Sequence, residues 1–285
     1  MIAVFAVGIS LFGRPDVRAV HAETAYERVV RTKTLRCGYM IAPPFIAADP
    51  NTKKLSGMNV DYTEAMGKML GLKITWTEVI TGQQVEALRT NKLDALCAGE
   101  APLVTALSVY LHYSEPLVFS PIQMYVRTNE MRFDGTMAQA MAKANDPSLT
   151  VSFMDSDLTQ DFAQRLFPRA KTHELPQIAD YPQVYLDVAT GKADFVINDP
   201  FTAGAFMKNN PGKLRKVNLD KPFAVLPNTM SVLRGEEALA DMLSQGIRNI
   251  RERNLEDSIL APYERDYPGA IYRVKELYRV PTALP

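Results

Sequence analysis

With 285 residues and 47% hydrophobic side chains, the chain can bury one large core or two ordinary ones, which excludes a disordered or fibrous protein. Its 32 basic and 32 acidic residues balance, and no Lys/Arg cluster marks a face for nucleic acid or anionic lipid, so neither is an expected partner.

The first segment, residues 2–12, is apolar but too short to span a membrane. Val20, His21 and Ala22 then suit signal-peptidase cleavage before Glu23, so residues 1–22 are expected to be a signal peptide and the mature chain to be periplasmic. No later segment approaches about 18 consecutive apolar residues, so the mature chain is expected to be soluble. In an oxidising compartment the two cysteines, Cys37 and Cys97, admit three readings. They could be a disulfide, two buried thiols, or a soft-metal site completed by Met40.

Short apolar runs alternate with amphipathic stretches, the pattern of an α/β fold with parallel strands and crossover helices. Residues 35–39 read as a strand, followed by a loop with Pro43, Pro44, Pro50 and Gly57. A helix follows, with Tyr62, Ala65, Met66, Met69 and Leu70 on one face, a capping box from Asp61 and Glu64, and Gly71 as its stop. Residues 73–79 are expected to be a strand, 83–90 a helix, and 93–98 a strand running into Gly99 and Glu100. A second series begins after Asn129, with helices at 136–144, 158–167, 181–190 and 201–208 and strands at 149–153, around His173 and Leu175, and at 193–197. Residues 223–226 and 230–233 form two further apolar runs before a long helix at 236–253.

Thr90-Asn91-Lys92-Leu93-Asp94 ends one helix and opens a strand, and Thr190-Gly191-Lys192-Ala193-Asp194 does the same later. Two halves of one βαβ design are expected. Ligands of open α/β sheets bind beyond the carboxyl ends of the strands, so facing sheets would aim Gly99-Glu100 and Asn198-Asp199 into one cleft. The tail after Pro222 is too short for a domain and is expected to return to the first lobe. The division is then residues 23–126 with 225–285 in one lobe and 127–224 in the other. Two parallel crossings, near 125–128 and 221–224, would form a hinge.

Four motifs carry a resemblance: Leu35-Arg36-Cys37-Gly38 with Pro44-Phe45, Ser56-Gly57-Met58-Asn59-Val60-Asp61, Lys92-Leu93-Asp94-Ala95-Leu96 before Ala98-Gly99, and Tyr113-Ser114-Glu115-Pro116. In this order and spacing, from about residue 32 to 263, the chain resembles the family 3 extracellular solute-binding proteins, receptors of bacterial ABC transporters for polar amino acids. The resemblance implies two Rossmann-like α/β lobes joined by a two-segment hinge, the type II periplasmic binding protein fold. It also implies a small-molecule ligand, a permease in the inner membrane as partner, a monomer, and no cofactor.

Residue by residue, it implies an aromatic stacking on the ligand, with Phe45 and Tyr39 as candidates. The family's arginine clamp for an α-carboxylate is missing, because the chain has no Lys or Arg between Gly99 and Ser114 and the position falls among Thr105, Ala106 and Leu107. Where the family offers Gly-Thr at a helix N-terminus, this chain has Asp155-Ser156-Asp157-Leu158-Thr159, making Asp157 and Thr159 candidates. Asp199 matches the aspartate that accepts from a ligand ammonium, and Glu100 replaces an uncharged residue.

A pocket beside Gly99 lined by Glu100, Asp157 and Asp199 with no positive partner needs a ligand that supplies the charge, so a cationic or carboxylate-free solute is expected. A hard cation would also satisfy it. Two other classes stay open: a cyclohexadienyl dehydratase-like enzyme, with His173-Glu174 as the pair of interest, and an accessory or sensory binding module. No HExxH, Gly-x-Ser-x-Gly or phosphate-cradling glycine loop is present.

Overall fold

The computed structural model describes residues 22–80, 82–102, 109–155, 158–176 and 179–274. The signal-peptide expectation therefore falls almost wholly outside the described residues. Among those described, no helix is long and apolar enough to cross a membrane.

The chain opens with α1 (Ala25–Thr32), β1 (Thr34–Tyr39), the small pair β2 (Ala47–Ala48) and β3 (Leu55–Ser56), α2 (Met58–Leu70), β4 (Lys73–Glu78), α3 (Gln84–Arg89) and β5 (Ala95–Glu100). Then come β6 (Leu111–Tyr113), β7 (Val118–Arg127), α4 (Met137–Ala144), β8 (Thr150–Met154), α5 (Leu158–Leu166), β9 (Lys171–Leu175), α6 (Gln183–Ala189), β10 (Phe195–Asn198) and α7 (Pro200–Asn209). It closes with β11 (Leu214–Lys216), β12 (Ala224–Leu233), α8 (Glu237–Glu252) and α9 (Glu256–Asp266).

β1 pairs in parallel with β4 on one side and β5 on the other, and β8 does the same with β9 and β10. Between these halves run the two ten-residue strands β7 and β12, antiparallel to each other from Ala224 opposite Ile122 to Asn228 opposite Val118. The fold is thus two α/β lobes joined by two crossing strands. The crossings are antiparallel rather than parallel, and β12 is one continuous strand where the sequence suggests two runs. Pro227 breaks the apolar pattern, yet it sits opposite Phe119 within the ladder.

One core gathers side chains of α2, β1, β5, α8 and α9, and two others gather β7, β8, β10 and the helices α4 to α7. The repeat is structural as well as sequential. Asp94 N–H donates to the Arg36 carbonyl and Asp194 N–H to the Thr150 carbonyl, at 2.9 and 2.8 Å. Each carboxylate then accepts the same residue's N–H in return, at 2.7 and 2.9 Å. Asn91 and Gly191, with φ of 54° and 84°, make the left-handed step that ends each helix.

The Asp61–Glu64 capping box does not form. Gly57, at φ 123°, begins α2 at Met58, and a Cβ there would lie 2.4 Å from the Phe45 carbonyl oxygen. Asp61 instead accepts from the Tyr263 hydroxyl and Glu64 from the Trp76 indole. Cys37 and Cys97 are joined as a disulfide between β1 and β5, which settles the three readings of the pair. Met40 accepts from the Gln84 amide.

Candidate functional site

The same Gly57 step positions the first site residue. Because α2 starts there without a side chain, its first N–H groups reach back to the Pro44 and Phe45 carbonyls at 3.2 and 3.1 Å, which pins the Phe45 loop to the helix N-terminus. Phe45 borders a cavity of about 120 Å³ between the strand ends of the two lobes. β5 contributes Gly99, β10 and its following residue contribute Asn198 and Asp199, and α5 contributes Leu158 and Thr159. The crossing strands supply Ser120, Ile122, Leu226, Pro227 and Asn228, and Ala101 and Tyr181 complete the wall.

Asp199 is the N-cap of α7, set there by Pro200 in the first helical position. Its Oδ1 accepts the Phe201 and Thr202 N–H groups at 2.9 Å each, and its Oδ2 accepts the Thr202 hydroxyl at 2.8 Å. Thr202 Oγ1 also lies 2.7 Å from the Tyr185 hydroxyl. Burial first, and the Asp199 charge second, push the phenols of Tyr125 and Tyr185 well above their ordinary value. Both rings are therefore neutral and the charge at this end of the cavity is negative. Asp199 is the only charged side chain in the lining among the described residues.

The cap also aims α7 at the opposite lobe. Phe201, fully buried, meets Phe45 edge-on at 4.7 Å and packs against Tyr267 at 4.9 Å and Tyr263 at 5.8 Å, inside the core built by α2, α8 and α9. One edge of Phe45 is therefore committed to Phe201 while the residue lines the cavity.

Of the sequence-predicted site residues, the structure brings Phe45, Gly99, Thr159 and Asp199 together around this space. Tyr39 is not in the lining; its ring meets Trp76 edge-on at 6.1 Å. Glu100 is not in it either. Successive strand residues face opposite ways, and Glu100 lies beside Tyr113, whose phenol is raised by burial and then by that carboxylate. Asp157, with Ser156 and the clamp positions Thr105, Ala106 and Leu107, lies outside the described residues. Ser120, Tyr181 and Asn228 escaped the sequence reading. Asn228 fell in the gap between two apolar runs, and only the pairing of β7 with β12 brings it beside Ser120.

His173 is held by Asp187 at 2.8 Å, with Gln183 and Lys192 on the other carboxylate oxygen, away from the cavity lining. A second cavity of about 380 Å³ lies beside α4, lined by Arg132, Phe133, Lys143, Asp146, Ser148 and Leu149. Its two cations are already engaged, Arg132 by Glu130 and Lys143 by the Arg132 carbonyl, and Ser148 and Leu149 lead into the amino end of β8 rather than following a carboxyl end. The strand-end cavity is the better candidate on chemistry. Among the described residues, no group of three or more His, Cys, Asp or Glu side chains is placed to hold a metal ion.

Residues 35–264 match the profile of the bacterial extracellular solute-binding proteins, family 3. The chain is 23% identical over 236 residues to a Haemophilus influenzae protein named "Probable amino-acid ABC transporter-binding protein", a match covering 81% of this chain and 85% of the relative. Among solved structures, an ancestral amino acid-binding protein described as a precursor of cyclohexadienyl dehydratase superposes with a TM-score of 0.71 at 18% identity, covering 84% of this chain and 99% of the other. An ancestral arginine-binding protein bound to arginine gives a TM-score of 0.69 at 20% identity, over 81% and 98% of the two chains.

Proposed function

Because the chain belongs to the bacterial extracellular solute-binding proteins, family 3, we propose that it is the periplasmic receptor of an amino-acid-type ABC importer and binds a small cationic solute that presents no carboxylate to be clamped. The observation that carries this reading is the charge of the strand-end cavity. Among the described residues Asp199 is the only charged side chain in its lining, and the sequence holds no Lys or Arg between Gly99 and Ser114. A half-buried carboxylate favours a ligand that brings the opposite charge, and a free carboxylate on the ligand would meet repulsion with no cation among the described lining residues to offset it.

In this reading Asp199 accepts from the ligand's ammonium, Phe45 covers its apolar stem, and Gly99 and Thr159 complete the wall. The lobes, residues 23–126 with 225–285 and residues 127–224, close about β7 and β12. A signal peptide over residues 1–22 exports the chain, which acts as a monomer and delivers its solute to an inner-membrane permease. The names of the curated relative and of the arginine-bound structure support the amino-acid-like solute class.

A thermal-shift screen of the chain from Glu23 onward tests this with pairs differing only by a carboxylate, cadaverine against lysine and agmatine against arginine. Ligand that binds only the folded state raises the midpoint by mass action. The carboxylate-free member of a pair is expected to give the larger shift. A larger shift with lysine or arginine rejects the carboxylate-free solute class and leaves the receptor role standing. No shift with any amine or amino acid rejects the solute reading altogether.

A further inference from the structure

Two side chains that line the cavity on the crossing strands, and a third packed behind Gly99, carry polar atoms that the fold itself leaves unused. Asn59, fully buried at the start of α2, has neither amide atom in a hydrogen bond. Asn228 Oδ1 and Ser120 Oγ are likewise buried without a partner, in residues only 5% and 7% exposed. Roughly nine in ten buried polar atoms in native folds are paired, so a convergence of unpaired ones calls for an explanation.

They do converge. Ser120 and Asn228 both line the cavity, Ser120 opposite Leu226 in the β7–β12 ladder and Asn228 two residues further along the same face of β12. Gly99, at φ +92°, lies against both amides. A Cβ at this position would stand 2.4 Å from Asn228 Nδ2 and 2.5 Å from Asn59 Nδ2. The absence of a side chain at Gly99 leaves room for both amides, that of Asn228 on the cavity wall and that of Asn59 buried behind Gly99.

We propose that Ser120 and Asn228, backed by Asn59 behind Gly99, form a charge-neutral recognition end of the site, which selects a ligand whose far end, opposite its ammonium, is an uncharged donor–acceptor group such as a carboxamide. This assignment rests on the cationic-solute reading above and narrows it. A carboxylate could accept from Asn228 Nδ2 and the Ser120 hydroxyl, but it has no N–H or O–H for the unpaired Asn228 Oδ1. A carboxamide has both, and it carries no charge toward Asp199. A site built to hydrogen-bond a ligand group discriminates strongly against an analogue that lacks it, because its own buried groups are then left bare.

The test uses three four-carbon amines, 4-aminobutanamide, 4-aminobutanoate and butylamine, titrated calorimetrically into the chain from Glu23 onward. The wild type is expected to bind the amide at least about tenfold more tightly than either analogue. In Asn228→Leu and in Ser120→Ala the ratio of amide to butylamine affinity is expected to fall toward one. The ligand-free thermal midpoint of both variants is expected to hold or rise, since an unpaired polar atom has been removed. A purely structural role for these residues predicts a lower midpoint and an unchanged ratio, which overturns the proposal. Equal binding of amide and butylamine by the wild type, or tightest binding of 4-aminobutanoate, also overturns it; equal binding leaves the cationic-solute reading intact. Failure of all three amines to bind overturns this proposal, while the cationic-solute reading falls only if cadaverine and agmatine fail as well.

Discussion

Asp94 and Asp194 occupy the same place in the two halves of the molecule, a hundred residues apart, and close the same backbone turn, yet they are held differently. The Asp94 carboxylate is wholly buried and takes both Arg28 and Arg36, at 2.9 Å from Arg28 Nε and 2.8 Å from Arg36 Nη2. The Asp194 carboxylate is 24% exposed and meets Arg127 at 3.4 Å and Arg132 at 3.8 Å. The difference continues into the strands they open. Cys37 is level with Ala95 in the first half as Val151 is with Phe195 in the second, so the Cys37–Cys97 disulfide corresponds to the buried pair Val151 and Ile197. One backbone design thus tolerates a covalent or an aliphatic strand-to-strand contact. What both halves keep is the pair of mutual hydrogen bonds between the aspartate and the first strand, which places Gly99 and Asp199 at matching strand ends.

The largest expected effect follows from the covalent member of that comparison. The disulfide spans a sequence separation of 60 residues, and closing a loop of that length in the unfolded chain is worth about 4 kcal/mol in the chain-entropy account. A Cys37→Ala, Cys97→Ala double variant is therefore expected to lose about that much in urea denaturation. A loss below about 1 kcal/mol would show that β1 and β5 are held together equally well without the bond.

Next come the aspartates themselves. Asp94→Ala leaves two arginines without their partner and the Arg36 N–H unpaired, and is expected to cost about 3 kcal/mol. Asp194→Ala loses longer, more exposed contacts and is expected to cost about 1.5 kcal/mol. Equal losses would erase the distinction between the halves.

The smallest effect belongs to the second half alone. Where the first half has Ala87, the second has Asp187, and both main-chain carbonyls accept the same two N–H groups after the helix. Burial works to raise the Asp187 carboxyl, but hydrogen bonds from His173, Lys192 and Gln183 more than offset it and hold it below the usual carboxylate value. A carboxyl lowered on folding contributes stability that is present above its unfolded value, near pH 4, and is lost as pH falls through the folded value. Asp187→Asn is expected to remove that acid-dependent stability, so the gap between the wild-type and variant curves should close as pH falls through the lowered Asp187 value. A constant gap across the pH range would contradict the ionic origin of the effect.

What was legible in the sequence was what is local. The paired turns could be read because a left-handed step at Asn91 or Gly191 and a short acidic side chain three residues later are chemical requirements of one geometry. The Thr24-x-x-Glu27 capping box of α1 carried the same kind of signal, and both of its hydrogen bonds form, although the sequence reading passed over it. The Asp61–Glu64 pattern has the same spacing and fails, because the tight approach of Gly57 to Phe45 starts α2 earlier. The site was legible in its glycine, its aspartate and its aromatic, each tied to a strand or helix end. Ser120 and Asn228 were not, since they lie 108 positions apart and become neighbours only through the β7–β12 ladder.

The most direct test of the cationic site is calorimetric titration of the Asp199→Asn variant with 4-aminobutanamide and cadaverine. Asparagine is as good an N-cap as aspartate, so α7 should keep its start and the thermal midpoint should stay close to that of the wild type. Removing the charge should weaken binding of both amines about 100-fold. Unchanged affinity in a folded Asp199→Asn variant would contradict the account, because the one charge in the lining among the described residues would then play no part in holding the solute.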